Sequence, residues 1–167
     1  VNALNACMRR EITEAFSILN DDTRVRAVVL TSEGKTFCAG ADMNDRPDPT
    51  SPGAYTIHNR TTRECFQAIL ECRKPVIAAV NGAAIGAGCV IMCCCDILIA
   101  SETAWISMPE VEVGLAGGPS HILRHFGASD ARLLMFTARK IGAPDLHRTN
   151  VLSACVPASE LRTAAMG

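Results

Sequence analysis

Apolar residues recur every three or four positions between residues 4 and 19, which predicts an amphipathic first helix. Asn2 or Asn5 is placed to cap the start of this helix. Residues 25–30 are mostly apolar and rich in β-branched side chains, a pattern typical of a buried strand. The apolar runs 76–80 and 97–100 have the same character. The chain therefore combines helical and strand patterns.

Helical and strand patterns alternate along the rest of the chain. Helices are expected at residues 61–73, 86–95 and 129–138 and after Pro157, and strands at residues 103–107 and 151–156. Three prolines predict a loop over residues 45–53, and residues 114–118 predict a flexible turn. Because strands alternate with helices and no linker divides the chain, we expect a single α/β domain over residues 1–167 with mostly parallel, buried strands.

One long uncharged segment, residues 76–95, has the length of a membrane span. Asn81-Gly82 interrupts it near its start, and Gly86 and Gly88 interrupt it again. We therefore predict a buried strand, a turn and a buried helix in this segment, and no membrane association. The sequence also lacks the basic and apolar pattern of a signal peptide at its start.

The use of cysteine favours a reducing compartment. Nine cysteines are about 5% of the residues, below the roughly 8–10% of a disulfide scaffold. Four of them, Cys89 and Cys93 to Cys95, crowd one short apolar stretch, which is poor geometry for a disulfide framework. The sequence thus predicts a cytoplasmic location.

Charge and motif spacing argue against several classes of protein. Sixteen Lys and Arg residues against seventeen Asp and Glu residues give a net charge of −1, so we expect no nucleic-acid partner. A phosphate-binding loop ending at residues 34–36 would need glycine where Val29 stands, and a dinucleotide fingerprint starting at Gly86 would need glycine at Ile91. Ser120 lies outside a G-x-S-x-G motif, and the cysteines lack zinc-site spacing.

Two turns rich in glycine and alanine follow predicted strands. One covers residues 38–42 (CAGAD), and the other covers residues 81–88 (NGAAIGAG) and leads into a helix. Small side chains let a ligand approach the backbone, and a helix start presents free N–H groups. If the two turns meet, two backbone amides can bind one carbonyl oxygen, which is an oxyanion hole. Tight packing between strand and helix is the alternative interpretation of the same residues.

Three ordered segments resemble the crotonase superfamily, the enoyl-CoA hydratase/isomerase family. They are FCAGAD at residues 37–42, PVIAAVNGAAIGAG at 75–88 followed by Cys95-Asp96, and MPEVEVGLAGG at 108–118. The opening VNALN and residues 137–157 are also similar to family segments, so the likeness covers nearly the whole chain. The resemblance implies a spiral of ββα units, an acyl-CoA thioester substrate and a homotrimer or hexamer.

The resemblance also implies roles for individual residues. The amides of Ala41 and Ala87 would bind the thioester oxygen and stabilise an enolate. The substrate would lie along a set of neighbouring residues: Ala39, Gly40, Asp42, Met43, Asn44, Gly86 and Gly88. Capping of a turn is an equal alternative for Asp42. The family needs no metal and no cofactor, because CoA is part of the substrate.

The proton-transfer residues separate this sequence from the typical hydratase pattern. Glu110 matches the downstream glutamate of the family, but Val90 stands where the other glutamate is expected and cannot transfer a proton. A single carboxyl in an apolar pocket has a raised pKa and can move a proton between two carbons, which favours double-bond isomerisation over hydration. Glu112 is the weaker candidate because it would point the other way if the segment were extended.

Several alternatives stay open at this point. Hydration using Glu110 alone, decarboxylation and carbon–carbon cleavage are other reactions of the family. A non-catalytic acyl-CoA-binding relative is an alternative of a different class, and binding of RNA is a third that the net charge disfavours. The resemblance finally implies that the family's N-terminal hairpin and C-terminal trimerisation helices lie outside residues 1–167.

Overall fold

Helices and strands alternate along residues 2–167, the part of the chain that the computed structural model describes. The helices are α1 (Ala6–Asp21), α2 (Ala54–Leu70), α3 (Ala87–Cys94), α4 (Pro119–Ile122), α5 (Ala128–Thr137), α6 (Ala143–Arg148) and α7 (Leu161–Met166). The strands are β1 (Val28–Leu30), β2 (Thr36–Cys38), β3 (Val76–Val80), β4 (Ala83–Ile85), β5 (Ile97–Ser101), β6 (Trp105–Ser107), β7 (Ile141–Gly142) and β8 (Ala154–Val156).

The strands form two four-stranded sheets. One sheet has the order β1-β3-β5-β8 and is parallel throughout, while the other has the order β2-β4-β6-β7 and is antiparallel only between β6 and β7. Successive pairs, β1 with β2 and β3 with β4, send one strand to each sheet before a helix follows. The predicted α/β class and the spiral of ββα units are therefore confirmed.

Several elements differ from the sequence prediction; strand β8, for example, begins at Ala154 rather than at residue 151. Residues 81–88 were expected to form only a turn before a helix, yet Ala83–Ile85 is a strand because it pairs with β2 on one side and β6 on the other. Helix α2 begins at Ala54, directly after the left-handed Gly53, rather than near residue 61. Strand β1 begins at Val28 instead of residue 25, because the pairing with β3 starts between Val28 and Val76.

Helix α1 begins as its sequence predicts. The Asn5 side chain accepts a hydrogen bond from the Met8 N–H at 2.9 Å, so Asn5 is the capping residue. Phe16 is buried on the inner face of this helix, and α1 packs against α2. Leu4, just before the helix, is hydrogen-bonded to Gly40 and Asp42 in the loop that follows β2.

The core is centred on α3, whose residues 88–94 are all buried. All nine cysteines carry free thiols, and six of them are buried: Cys38, Cys65, Cys89, Cys93, Cys94 and Cys95. Burial raises the pKa of Cys65 and Cys94 to about 12. Among residues 2–167, no helix has both the length and the apolar character to traverse a bilayer. The uncharged segment 76–95 is thus β3, β4 and α3.

Candidate active site

The two glycine-alanine turns meet beside the start of α3. Gly40 is buried with φ +95°, and a Cβ added to it would lie 2.9 Å from the Ile85 carbonyl oxygen and 3.8 Å from the Ala87 nitrogen. Ala41 follows Gly40 directly, so the turn that carries the Ala41 amide lies beside the start of α3. Glycine is required at position 40 by both the backbone conformation and the close contact.

The amides of Ala41 and Ala87 are both available to a ligand. Leu4 donates to the Gly40 carbonyl at 2.8 Å and accepts from the Asp42 N–H at 3.2 Å. The Gly40 carbonyl and the Ala41 N–H belong to one trans peptide group and point in opposite directions, so the Ala41 N–H points away from Leu4. Ala87 is the first residue of α3, where the N–H has no partner within the helix. Within residues 2–167, neither amide donates to a backbone acceptor.

Two further glycines hold α3 against its neighbours. A Cβ on Gly88 would lie 2.4 Å from the Cys38 carbonyl oxygen, so the helix packs directly on the end of β2. A Cβ on Gly86 would lie 2.7 Å from Oε1 of Glu110. The carboxyl group therefore lies over the turn that presents the Ala87 amide.

Glu110 is held by a short 3-10 helix, Pro109–Val113, which follows β6. Its Oε2 atom is buried and has no hydrogen-bond partner within residues 2–167. Burial away from water raises the pKa of the carboxyl, since it disfavours the charged form. The segment is helical rather than extended, and the Glu112 side chain is exposed to solvent. Glu110 is thus a half-buried side chain whose carboxyl lies beside the turn that presents the Ala87 amide.

These groups line one cavity of about 270 Å³. Its wall includes four of the predicted site residues, Ala41, Asp42, Ala87 and Glu110. Helix α2 and the loop before α4 complete the wall with residues that the sequence did not single out: Tyr55, His58, Asn59, Thr62, Phe66, Leu115 and Ala116. Ala41, Ala87 and Glu110 therefore border one common space in which a small ligand can lie.

The remaining predicted residues lie around this cavity without lining it. Met43 and Asn44 are exposed. Ala39 is half-buried, and its N–H donates a hydrogen bond to the Asn2 carbonyl. Gly40, Gly86 and Gly88 are buried behind the wall. Asp42 both lines the cavity and caps the 3-10 helix Met43–Asp45, because its carboxylate accepts from the Asn44 N–H at 2.9 Å.

Val90 lies on the cavity wall one turn into α3 and is buried. A Cβ on Gly118 would lie 2.5 Å from the Val90 Cγ2 atom, so the loop before α4 closes over the valine. The position where the family pattern places a second acid is therefore apolar.

The fold and the cavity define the class of protein. Two mostly parallel sheets position the turns that carry Ala41 and Ala87 at one cavity, and Glu110 lies in the wall of the same cavity. Such a site can bind a carbonyl oxygen, stabilise negative charge on it and transfer a proton to a neighbouring carbon. Within residues 2–167, no three His, Cys, Asp or Glu side chains are grouped so that they could hold a metal ion.

Comparison with known proteins gives the family. The sequence profile of the enoyl-CoA hydratase/isomerase family matches residues 1–167. A probable enoyl-CoA hydratase of Mycobacterium bovis is 37% identical over 168 residues, which cover 99% of this chain and 64% of that protein. A short-chain-enoyl-CoA hydratase of Clostridium acetobutylicum is 37% identical over 173 residues, again covering 99% and 64%. The chain therefore belongs to the enoyl-CoA hydratase/isomerase family of the crotonase superfamily.

Solved structures of relatives have the same fold. The crystal structure of an enoyl-CoA hydratase of Mycobacterium smegmatis superimposes with a TM-score of 0.90 at 30% identity, covering 97% of this chain and 64% of that one. An enoyl-CoA hydratase of Bacillus anthracis gives a TM-score of 0.91 at 28% identity, covering 98% and 65%. The chain spans just under two thirds of the length of these relatives.

Proposed function

We propose that this chain carries the active site of an acyl-CoA enzyme of the enoyl-CoA hydratase/isomerase type. In this proposal the amides of Ala41 and Ala87 bind the thioester oxygen, and the enolate that forms is stabilised there. Glu110 transfers the proton. The observation that carries the proposal is the approach of Gly40 to the Ala87 nitrogen with the Glu110 carboxyl directly over Gly86.

The remaining site residues receive supporting roles in the proposal. Gly40, Gly86 and Gly88 allow the thioester to approach the backbone, and Ala39 continues the same turn. Asp42, Met43 and Asn44 lie along the CoA portion of the substrate. No separate cofactor is needed, because the reaction moves protons on a thioester and CoA belongs to the substrate.

Double-bond isomerisation is the reaction that these residues favour. The ionised Glu110 would remove a proton from C2 of a 3-enoyl thioester, leaving a dienolate whose oxygen accepts from the two amides. Return of the proton to C4 gives the 2-enoyl thioester and restores the carboxylate. Hydration would require water to be activated as well, and Val90 offers no second acid or base for that step.

The buried Val90 also supports a second candidate, a relative that binds acyl-CoA without catalysis. Such a chain would keep the two amides and lose turnover. Decarboxylation and carbon–carbon cleavage stay open as other reactions of the same site. These alternatives predict different products, or none, from one set of substrates, so identifying the products distinguishes them.

We expect a 3-enoyl-CoA, incubated with the protein, to be converted to the 2-enoyl-CoA without a change in mass. Hydration of a 2-enoyl-CoA would instead add the mass of one water. A panel of 2-enoyl and 3-enoyl thioesters, followed by absorbance of the conjugated thioester and by mass spectrometry, distinguishes the two. Water addition as the main reaction would contradict isomerisation, and binding without any product would support the non-catalytic candidate.

The pH dependence of the isomerisation follows from the raised pKa of Glu110. A base must be ionised to take a proton, so kcat/KM should rise as the pH increases through this pKa and then level off. We expect the midpoint to lie above the range of an exposed glutamate, about 4.3. A pH–rate profile with a 3-enoyl-CoA measures it, and a midpoint at or below that range would contradict the proposed role.

The proposal extends to assembly and location. A homotrimer or hexamer is supported by large apolar side chains that a single chain leaves exposed, among them Val111 (54%), Leu133 (42%) and Phe136 (73%). The free thiols favour the cytoplasm or another reducing compartment. The near-neutral charge offers no support for a nucleic-acid partner.

A further inference from the structure

A buried cation lies behind the α2 wall of the cavity. Arg9 is only 4% exposed, although it belongs to the outer helix α1. Its Nη2 atom lies 2.8 Å from Oδ2 of Asp45 and 3.5 Å from Nδ1 of His58. The guanidinium thus joins α1, the 3-10 helix Met43–Asp45 and α2. Arg9 does not line the cavity, whereas His58 does.

The position of Arg9 fixes the protonation of the His58 ring. A guanidinium donates hydrogen bonds and accepts none. A proton on the Nδ1 atom that faces Arg9 would therefore place two donors against each other. The ring hydrogen is therefore on Nε2. Burial lowers the pKa of His58, the charge of Arg9 lowers it further, and Asp45 acts in the opposite direction. At neutral pH the side chain is an uncharged imidazole with one N–H donor.

The other polar side chains on this wall either form hydrogen bonds within the protein or are exposed to solvent. The Thr62 hydroxyl donates to the His58 carbonyl at 2.8 Å, and the Asp42 carboxylate accepts from the backbone. Arg46, Tyr55 and Asn59 are exposed. Within residues 2–167, the His58 ring makes one polar contact, between Nδ1 and Arg9, which leaves Nε2 without a protein partner. The Nε2–H of His58, on the side of the ring away from Arg9, is thus a half-buried hydrogen-bond donor at the cavity.

We propose that His58 selects acyl groups that carry an oxygen atom. The inference rests on the proposed function, since it concerns the acyl portion of the thioester that Ala41 and Ala87 bind. The substrate class is an enoyl-CoA whose acyl chain bears a hydroxyl or carboxyl oxygen that accepts from His58 Nε2. A plain hydrocarbon chain would bury this donor without a partner, which disfavours its binding in the transition state.

The test compares substrates of one chain length. The probes are hex-3-enoyl-CoA, its 5- and 6-hydroxy derivatives, and hex-3-enedioyl-CoA, in which C6 is a carboxylate. We expect at least one oxygenated probe to exceed the hydrocarbon in kcat/KM by at least about fivefold, the scale of one hydrogen bond. If the chain binds thioesters without turnover, dissociation constants from calorimetry give the same ratio. Lower ratios for every oxygenated probe would overturn the inference.

Two histidine variants assign the preference to a residue. His58→Phe keeps a ring of similar shape and removes the donor, so the ratio should fall towards one. His147→Phe makes the same change on the exposed surface of α6, outside the cavity, and should leave the ratio as in the parent chain. A preference that persists in His58→Phe would overturn the role of His58.

The outcomes also separate this inference from the proposed function. Equal use of hydrocarbon and oxygenated probes would leave the acyl-CoA function standing and remove the selection by His58. Failure to bind or convert any of the four thioesters would reject both. Circular dichroism of each variant verifies that a change in the ratio of kcat/KM values between oxygenated and hydrocarbon probes does not result from unfolding.

Discussion

Glu110→Gln is expected to lose nearly all turnover while still binding CoA thioesters. The amide has the shape of the carboxyl but cannot accept or return a proton, and general acid–base groups contribute about 10²–10⁴-fold to rate. Binding should persist because the amides of Ala41 and Ala87 are untouched. The measurement is kcat with a 3-enoyl-CoA, together with calorimetric binding of the saturated butyryl-CoA.

Glu112→Gln is the matched control. It removes a carboxylate from the same 3-10 helix, but from a side chain that is exposed to solvent and does not line the cavity. Its turnover should equal that of the parent chain. Turnover retained in Glu110→Gln would contradict the proton-transfer role. A parent chain that binds butyryl-CoA and turns over none of the enoyl thioesters would instead be the non-catalytic relative.

Gly40→Ala is expected to lower kcat/KM by about 10²–10³-fold, the scale of losing one oxyanion-hole donor. The new methyl group would lie 2.9 Å from the Ile85 carbonyl oxygen, so the loop carrying the Ala41 amide must move away from α3. Overpacking of this kind also costs about 1–3 kcal/mol of stability. Steady-state kinetics and urea unfolding measure the two effects separately.

Gly34→Ala controls for backbone strain alone. Gly34 has φ +85°, close to the +95° of Gly40, but a Cβ there would meet nothing within 4 Å. It should lose about 1 kcal/mol of stability and keep full activity. If both variants lost activity equally, the approach of the two amides would not be the cause, and the proposed oxyanion hole would be refuted.

The sequence predicted the fold where its patterns are strong, as in the alternation that places β3 and β5 in a parallel sheet. It missed β4 because Ala83 and Ala84 are small and weakly strand-forming, and the pairing with β2 and β6 supplies what local propensity lacks. The start of α2 was missed for a related reason. Residues 54–60 show little apolar periodicity, and Tyr55 and Ile57 are exposed.

The prediction of the site has a similar limit. Ala41, Ala87 and Glu110 lie in recognisable segments, and the structure brings them to one cavity. The α2 wall was not predicted, because a single histidine in a helix carries no motif. The contact of His58 with Arg9 joins residues separated by 49 positions. An arginine among the apolar positions of α1 was the available signal, but its partner could not be read from the sequence.

The buried thiols of the core have a consequence for handling the protein. A thiol reacts as its thiolate, and burial has both removed Cys65 and Cys94 from solvent and raised the pKa of each to about 12. Alkylating reagents can therefore modify these side chains only in molecules whose interior has opened. The rate at which Cys65 and Cys94 are alkylated therefore reports how often α2 and α3 separate, and the measurement needs no introduced cysteine.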